Sequence, residues 1–238
     1  MIFMTLVVIG PVTQDLIIKN SIFRDNRADD YSGGAIYGYG GNLFVYNSVF
    51  ENNHAAQNGA AIAYWNYCNV YVNNSSFKSN RVENNGPAYS HGGALSLLCD
   101  DAYIINSTFI DNYAEDYGGA IYCMGHGRLL IDVNCSSSSS FINNLADDNQ
   151  GGAIFSLCDI FAENTKFSHN YAYVDGGAIY ADKYEERMAD VYVKNCLFES
   201  NSATDAKSQC YGGAIRCNHD VIVDNSTFKN NFAADYGG

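Results

Sequence analysis

The chain has 238 residues, 47% of them hydrophobic, and carries 13 Lys and Arg against 26 Asp and Glu, a net charge of −13. That apolar share can supply a core, so the many Asn, Ser and Gly residues do not signal disorder. No basic stripe exists to neutralise phosphates, which excludes nucleic acid as a partner, and acidity of this degree describes a soluble, self-repelling surface.

The first apolar run, Met1 to Ile9, has no cationic start. It is too short to span a bilayer and lacks the three-part layout of a signal peptide. Thr5-Leu6-Val7-Val8-Ile9 predicts one strand of an incomplete coil ahead of the first full repeat. From Asn20 onward a seven-residue phrase, N-S-x-F-x-x-N with some variation, recurs around Phe23, Phe50, Phe77, Phe109, Phe141, Phe167, Phe198 and Phe228. The spacings are 27, 27, 32, 32, 26, 31 and 30 residues, and most copies are followed by Gly-Gly-Ala-Ile or Gly-Gly-Ala-Leu. A fixed period of this size marks stacked units that contact mainly their neighbours.

Within one unit, a first apolar segment ends at the leading Asn. Two and four residues before it stand pairs such as Leu16/Ile18, Leu43/Val45, Val70/Val72 and Val191/Val193. This is period-two alternation of β-branched residues, the mark of a strand with one buried face. A second segment begins at the glycine pair, as in Gly33-Gly34-Ala35-Ile36 and Gly118-Gly119-Ala120-Ile121. The glycines predict a turn and close backbone approach, and the aliphatic residue beyond them enters the core. Only Pro11 and Pro87 interrupt the chain, and the linkers are too short for crossover helices. The prediction is an all-β, right-handed parallel β-helix of about eight coils of 26–32 residues. Residues 1–238 form a single repeat domain, read as a piece of a longer protein whose flanking repeats continue the stack.

Stacking puts equivalent residues over one another. Asn20, Asn47, Asn74, Asn106, Asn164, Asn195 and Asn225 are expected to form an inward ladder of side-chain amides, satisfying groups otherwise buried unpaired. The eight phenylalanines are expected to stack beside them, each contributing roughly 1.5–3 kcal/mol through burial. A second Asn follows each Phe by three residues, and a small apolar residue follows that by two. The run Ser136 to Ser140 replaces the leading Asn-Ser of one unit and predicts a loop insertion with a gap in the ladder. Eight cysteines have irregular spacing and no C-x-x-C, which gives zinc no ligand pairs. They read as scattered buried thiols, with one or two disulfides as the alternative.

The phased pairing of F-x-x-N with G-G-A-[ILV] resembles the polymorphic outer-membrane-protein repeat and related adhesin-like right-handed β-helix proteins, over residues 16–238. The resemblance implies a cell-surface or secreted, non-enzymatic adhesin-like protein. Its β-helix would serve as a stalk or as a binding surface for host or cell glycans or proteins.

The competing class is a carbohydrate-active β-helix enzyme. Asp100-Asp101 followed by Gly125-His126-Gly127-Arg128 is similar to the Asp pair and Gly-His-Gly of polygalacturonase-type hydrolases, but only two of that pattern's four elements are present. These are read as loop residues, and no catalytic or cofactor residue is assigned. The acidic pairs Asp29-Asp30, Glu115-Asp116 and Asp147-Asp148 precede the glycine turns and read as solvated charges. Weak calcium binding is the alternative reading for them. Sequons at Asn73 and Asn134 are preferred over those on ladder positions. The most suggestive surface feature lies three residues before the leading Asn: Phe44, Tyr71, Tyr103, Phe161 and Tyr192, flanked by Ile17 and Ile222. Alternation turns this column outward, where stacked rings either stiffen the sheet or meet a ligand.

Overall fold

A computed structural model of the chain describes residues 6–11, 14–65, 68–83, 89–205 and 209–238. The described residues contain strands and turns without an α-helix, and no helix among them is long and apolar enough to cross a membrane. Four parallel sheets of eight strands each run the length of the molecule, and in each the spatial order of strands is their order in the chain. One coil visits each sheet once. The fourth coil, for example, passes through Leu95–Leu98, Asp101–Ile105, Thr108–Ile110 and Tyr113–Ala114. The strand Leu6–Pro11 opens the first sheet and pairs with Ile36–Tyr39. From first to last equivalent strand the chain therefore makes about seven turns, close to the eight coils expected. Numbered from that opening strand, the fifth coil begins at Ile121 and the sixth at Ile154.

The registers align like with like. Phe50 pairs with Phe77, Phe77 with Phe109 and Phe109 with Phe141 in the third sheet, while Ala114 pairs with Ala146 in the fourth. The resulting phenylalanine column is continuous, with ring centroids 4.7–5.0 Å apart from Phe23 to Phe228. That distance is the strand repeat itself, so rings ride the hydrogen-bonded spacing of the backbone without strain.

The asparagines require a correction. Asn20, Asn47, Asn74, Asn106, Asn195 and Asn225 are exposed and Asn164 half-buried, so this column faces outward. Each has a positive φ, between 42° and 52°, and makes the turn from the second sheet to the third. Asn tolerates this left-handed conformation better than other non-glycine residues. Its amides still hydrogen-bond up the stack: Asn47 donates to Asn20 at 3.2 Å, Asn74 to Asn47 at 2.9 Å and Asn225 to Asn195 at 2.7 Å. The sequons on this column are therefore as outward-facing as Asn134, and the preference drawn from burial does not hold.

The buried ladder is the second asparagine column. Asn53, Asn80, Asn112, Asn144, Asn170 and Asn201 have no exposed surface. Each amide is saturated. Asn80 donates through Nδ2 to Asn112 Oδ1 at 3.0 Å and to the Phe50 carbonyl at 3.1 Å. Its own Oδ1 accepts from the backbone N–H and the Nδ2 of Asn53. Two donors and two lone pairs are all in use, which is the complete capacity of the group apart from weaker sharing.

A third ladder uses serine. Ser48, Ser75, Ser107 and Ser139 each accept from the backbone N–H of the preceding coil's equivalent residue, at 3.0–3.2 Å. The glycine pair is explained by a close approach. A Cβ on Gly93 would lie 2.1 Å from the Gly119 carbonyl oxygen, so in that coil the passage from the fourth sheet to the first is too close for a side chain.

The serine insertion sits in the fifth coil. There Asp132, fully buried and with φ 51°, takes the left-handed turn. It accepts from the Asn106 N–H at 2.8 Å, from the Ser137 hydroxyl at 2.6 Å and from the Ser139 N–H. The outer ladder breaks as expected, because Asn164 donates to the Cys135 carbonyl at 2.9 Å instead of to an asparagine. The insertion is anchored by that carboxylate and by the Ser138 hydroxyl, which donates to the Asn164 carbonyl at 2.8 Å. In the seventh coil a small antiparallel hairpin, Lys183–Tyr184 with Arg187–Met188, adds to the stack. Arg187 reaches back from it to the Asp159 carboxylate and the His126 carbonyl, tying three successive coils together.

Candidate binding surfaces

Strands of the second sheet alternate buried and outward residues, so Val70 and Val72 enter the core while Tyr71 stands half-buried outside. The outward column follows the registers Ile17, Phe44, Tyr71, Tyr103, Leu130, Phe161, Tyr192 and Ile222. Phe44, Tyr71 and Tyr103 stack face to face at 4.9 and 4.7 Å, and Phe161 and Tyr192 at 4.5 Å. Leu130, again in the fifth coil, divides the column into two blocks. The lower edges are held in place: the Tyr103 hydroxyl donates to Asp101 and that of Tyr192 to Asp190, each at 3.3 Å. Burial, and then the adjacent carboxylate, push both phenols above their ordinary range, so they remain donors. Above Tyr192 and Phe161 a shallow recess of about 210 Å³ continues the column, bordered by Glu163, Lys194, Ile222 and Asp224.

The residue after the buried Ile of the first sheet forms a second outer row: Tyr37, Ala63, Ser96, Tyr122, Phe155 and Tyr180. Tyr122, Phe155 and Tyr180 stack at 5.2–5.3 Å. Where Ala63 and Ser96 shorten the row, the surface opens into a recess of about 240 Å³ lined by Trp65, His91, Ser96, Leu98, Tyr122 and Met124. Trp65 meets Tyr37 edge-on at 5.4 Å, and His91 lies flat on Tyr122 at 4.3 Å. Burial lowers the His91 pKa to about 4, so the imidazole is neutral at physiological pH. This recess was not foreseen. Its signal in the sequence is an aromatic residue after Gly-Gly-Ala-Ile in most units and a small one, Ala63 or Ser96, in two.

The paired acids and Gly-His-Gly lie on adjacent coils, where Asp101 is paired with Arg128. Asp101 accepts from the Arg128 backbone N–H at 3.0 Å, from Arg128 Nε at 3.1 Å and from Nη2 at 2.7 Å. The guanidinium holds its carboxyl below the usual carboxylate range, the opposite of what a general acid needs. The glycines have a steric cause, since a Cβ on Gly127 would fall 1.1 Å from the Asp100 carbonyl oxygen. His126 stands exposed in that turn.

Glu115-Asp116 and Asp147-Asp148 stand on adjacent coils, where the Asp148 N–H donates to the Glu115 carbonyl at 2.7 Å, while Asp29-Asp30 lies near the other end of the stack. Asp116 accepts from the Ser90 N–H at 2.7 Å, Asp147 from the Tyr113 hydroxyl at 3.0 Å, and Asp29 pairs with Arg27. Among the described residues, carboxylates and a histidine gather elsewhere, at Asp190, His219 and Asp220, with ligand atoms within 4.8 Å. Hydrogen bonding between Asp190 and His219 lowers the first pKa and raises the second, as expected of an ion pair.

A family model described as the Chlamydia polymorphic membrane protein repeat matches residues 20–39, 47–63, 106–124, 138–157, 164–182 and 195–218, together half of the chain. The matches start at or near the leading asparagines and run through the phenylalanine and glycine motifs, covering the third and fourth sheets and the entry to the first. No curated protein and no solved structure matches the chain.

Proposed function

Because the chain belongs to the polymorphic membrane protein repeat family, which points to a surface or outer-membrane protein of adhesin-like kind, we propose that it is a non-enzymatic shaft. In this reading its second-sheet face binds extracellular glycans or surface proteins. The observation that carries the reading is the outward aromatic column. Phe44, Tyr71 and Tyr103 present rings at 4.7–4.9 Å along the axis, and in the other block Lys194 follows Tyr192 on the same strand. A regular strip of this kind meets an extended chain by many weak contacts. Grip then grows by repeating coils and copies, without a deep pocket. The commitment of Asp101 to Arg128 supports scaffolding over catalysis at the one place where a hydrolase pattern appeared.

Replacing Tyr71, Tyr103 and Tyr192 by Ser tests this. Binding of a multivalent display of the chain to cells or to a glycan array should fall at least tenfold, with β-sheet circular dichroism unchanged. Full retention of binding would move the search to the recess between Trp65 and Tyr122. Turnover of any polysaccharide, lost in Asp101→Asn, would overturn the non-enzymatic reading.

A further inference from the structure

The expectation of scattered thiols fails in one place. In four successive coils a cysteine sits where the first sheet passes into the second: Cys68, Cys99, Cys123 and Cys158, each 4% exposed or less. Cys68, Cys99 and Cys158 occupy the turn itself. In the fifth coil that turn is Gly125-His126-Gly127, and Cys123 fills the column from within the strand Ile121–Met124. Equivalent atoms on neighbouring coils repeat at about 4.8 Å. Cys123 and Cys158 are not equivalent, and their sulfurs approach to 3.6 Å. Cys99 touches Cys123 from the other side. The sulfurs form a line, without the mutual closeness of three ligands that a metal would require.

We propose that Cys123 and Cys158 are the sites of a disulfide that staples the fifth coil to the sixth. Closing 3.6 Å to the covalent distance of about 2.05 Å asks only for small side-chain rotations. The location gives the bond a purpose. The fifth coil breaks the outer asparagine ladder at Asp132 and the aromatic column at Leu130, so its junction with the sixth lacks two of the stacks that other junctions have. The chemistry is exchange with an external disulfide such as oxidised glutathione. The Cys123 thiolate attacks one sulfur of the oxidant and expels a thiolate. The Cys158 thiolate then displaces the second, forming the protein disulfide. Two protons leave the cysteines, and the oxidant is reduced to two thiols. An oxidising exterior, to which the family points, is where such a bond persists.

Timing follows from burial. Contact with Cys123, then burial, push the Cys158 thiol well above its ordinary range. For Cys123 the contact with Cys158 acts the other way but is outweighed by Cys99 and burial. The folded pair is thus short of thiolate, so the bond forms as the coils close and is protected afterwards.

The test refolds the 238-residue chain in a glutathione redox mixture and, in parallel, in dithiothreitol. Both samples are then unfolded in excess alkylating reagent, digested and mapped by mass. The oxidised sample should yield peptides joined through Cys123 and Cys158, lighter by two hydrogens and absent after dithiothreitol. Cys99→Ala should keep the link and Cys158→Ser lose it, and oxidation should raise the unfolding midpoint of the first variant and not the second. Should Cys158→Ser fail to fold, the map of the unaltered chain decides alone. Four fully alkylated cysteines, or a dominant link from Cys99 to Cys123 or Cys68, would overturn the proposal.

Discussion

The corner where the third sheet meets the fourth repeats with little change from coil to coil, whereas the outer faces of the first and second sheets do not. At the corner, Phe and Asn recur in all eight units, with rings stacked at 4.7–5.0 Å and the inner amides, such as Asn80, bonded through every donor and acceptor. On the outer faces Leu130 divides one aromatic column, and Ala63 and Ser96 open a recess in the other. The difference follows from solvent. A saturated amide inside a dry stack cannot be replaced in one coil without stranding groups in the coils above and below. An outward ring loses little when its neighbour changes, because water takes up the vacated surface. Invariance therefore belongs to the buried scaffold and variation to the faces that meet water.

The comparison can be broken at several points. The largest effect is expected from Phe109→Ala, which empties a fully buried site and should destabilise the solenoid by about 3–5 kcal/mol. Tyr103→Ala, on the outer face, should cost under about 1 kcal/mol; similar midpoints in chemical denaturation would remove the distinction. Next, Asn112→Leu should cost about 2–4 kcal/mol, since it strands Asn80 and the Phe77 carbonyl. Asn106→Leu in the exposed ladder should cost about 1–2 kcal/mol, much of it the left-handed backbone. If Asn106→Leu proves the more damaging, the assignment of the two ladders is reversed.

A smaller effect concerns His91 and sharpens the picture of the recess. Its folded pKa, about 4, lies below the unfolded value of 6.5. The unfolded chain thus binds the extra proton first as pH falls. Stability from neutral burial is complete above about pH 6.5 and is lost toward pH 4, by about 1–3 kcal/mol. Thermal unfolding of His91→Phe should lack that component, and an unchanged pH profile would place His91 in water. The smallest effect is that of Arg128→Ala. Its partly exposed pair with Asp101 should be worth under about 1 kcal/mol, and a larger loss would mean that the turn depends on it.

Much of the scaffold was legible because it is periodic. The Phe column, the small residues of the fourth sheet, the strands before each leading Asn and the glycine turns all follow from spacing and alternation. What spacing left undecided was which asparagine faces inward, because both columns share one period, although the second recurs in all eight units and the leading one in seven. The difference lies in which residue takes the left-handed turn. At the first turn it is the leading Asn itself, as in Asn106 at φ 47°, which swings its own side chain outward. At the second it is the residue before the other Asn, as in Asp111 at φ 56°, and that rotates Asn112 into the core.

The sequence by itself thus determined the repeat, the parallel stack and the identity of its columns, since those need only periodicity and the requirement that like residues meet. The direction of each asparagine, the recess beside Trp65 and His91, and the file of four sulfurs were decided by tertiary structure alone. They depend on the sign of a backbone angle, on the absence of a side chain two coils away, and on inequivalent positions brought together across a turn. None of these is a property of any one repeat.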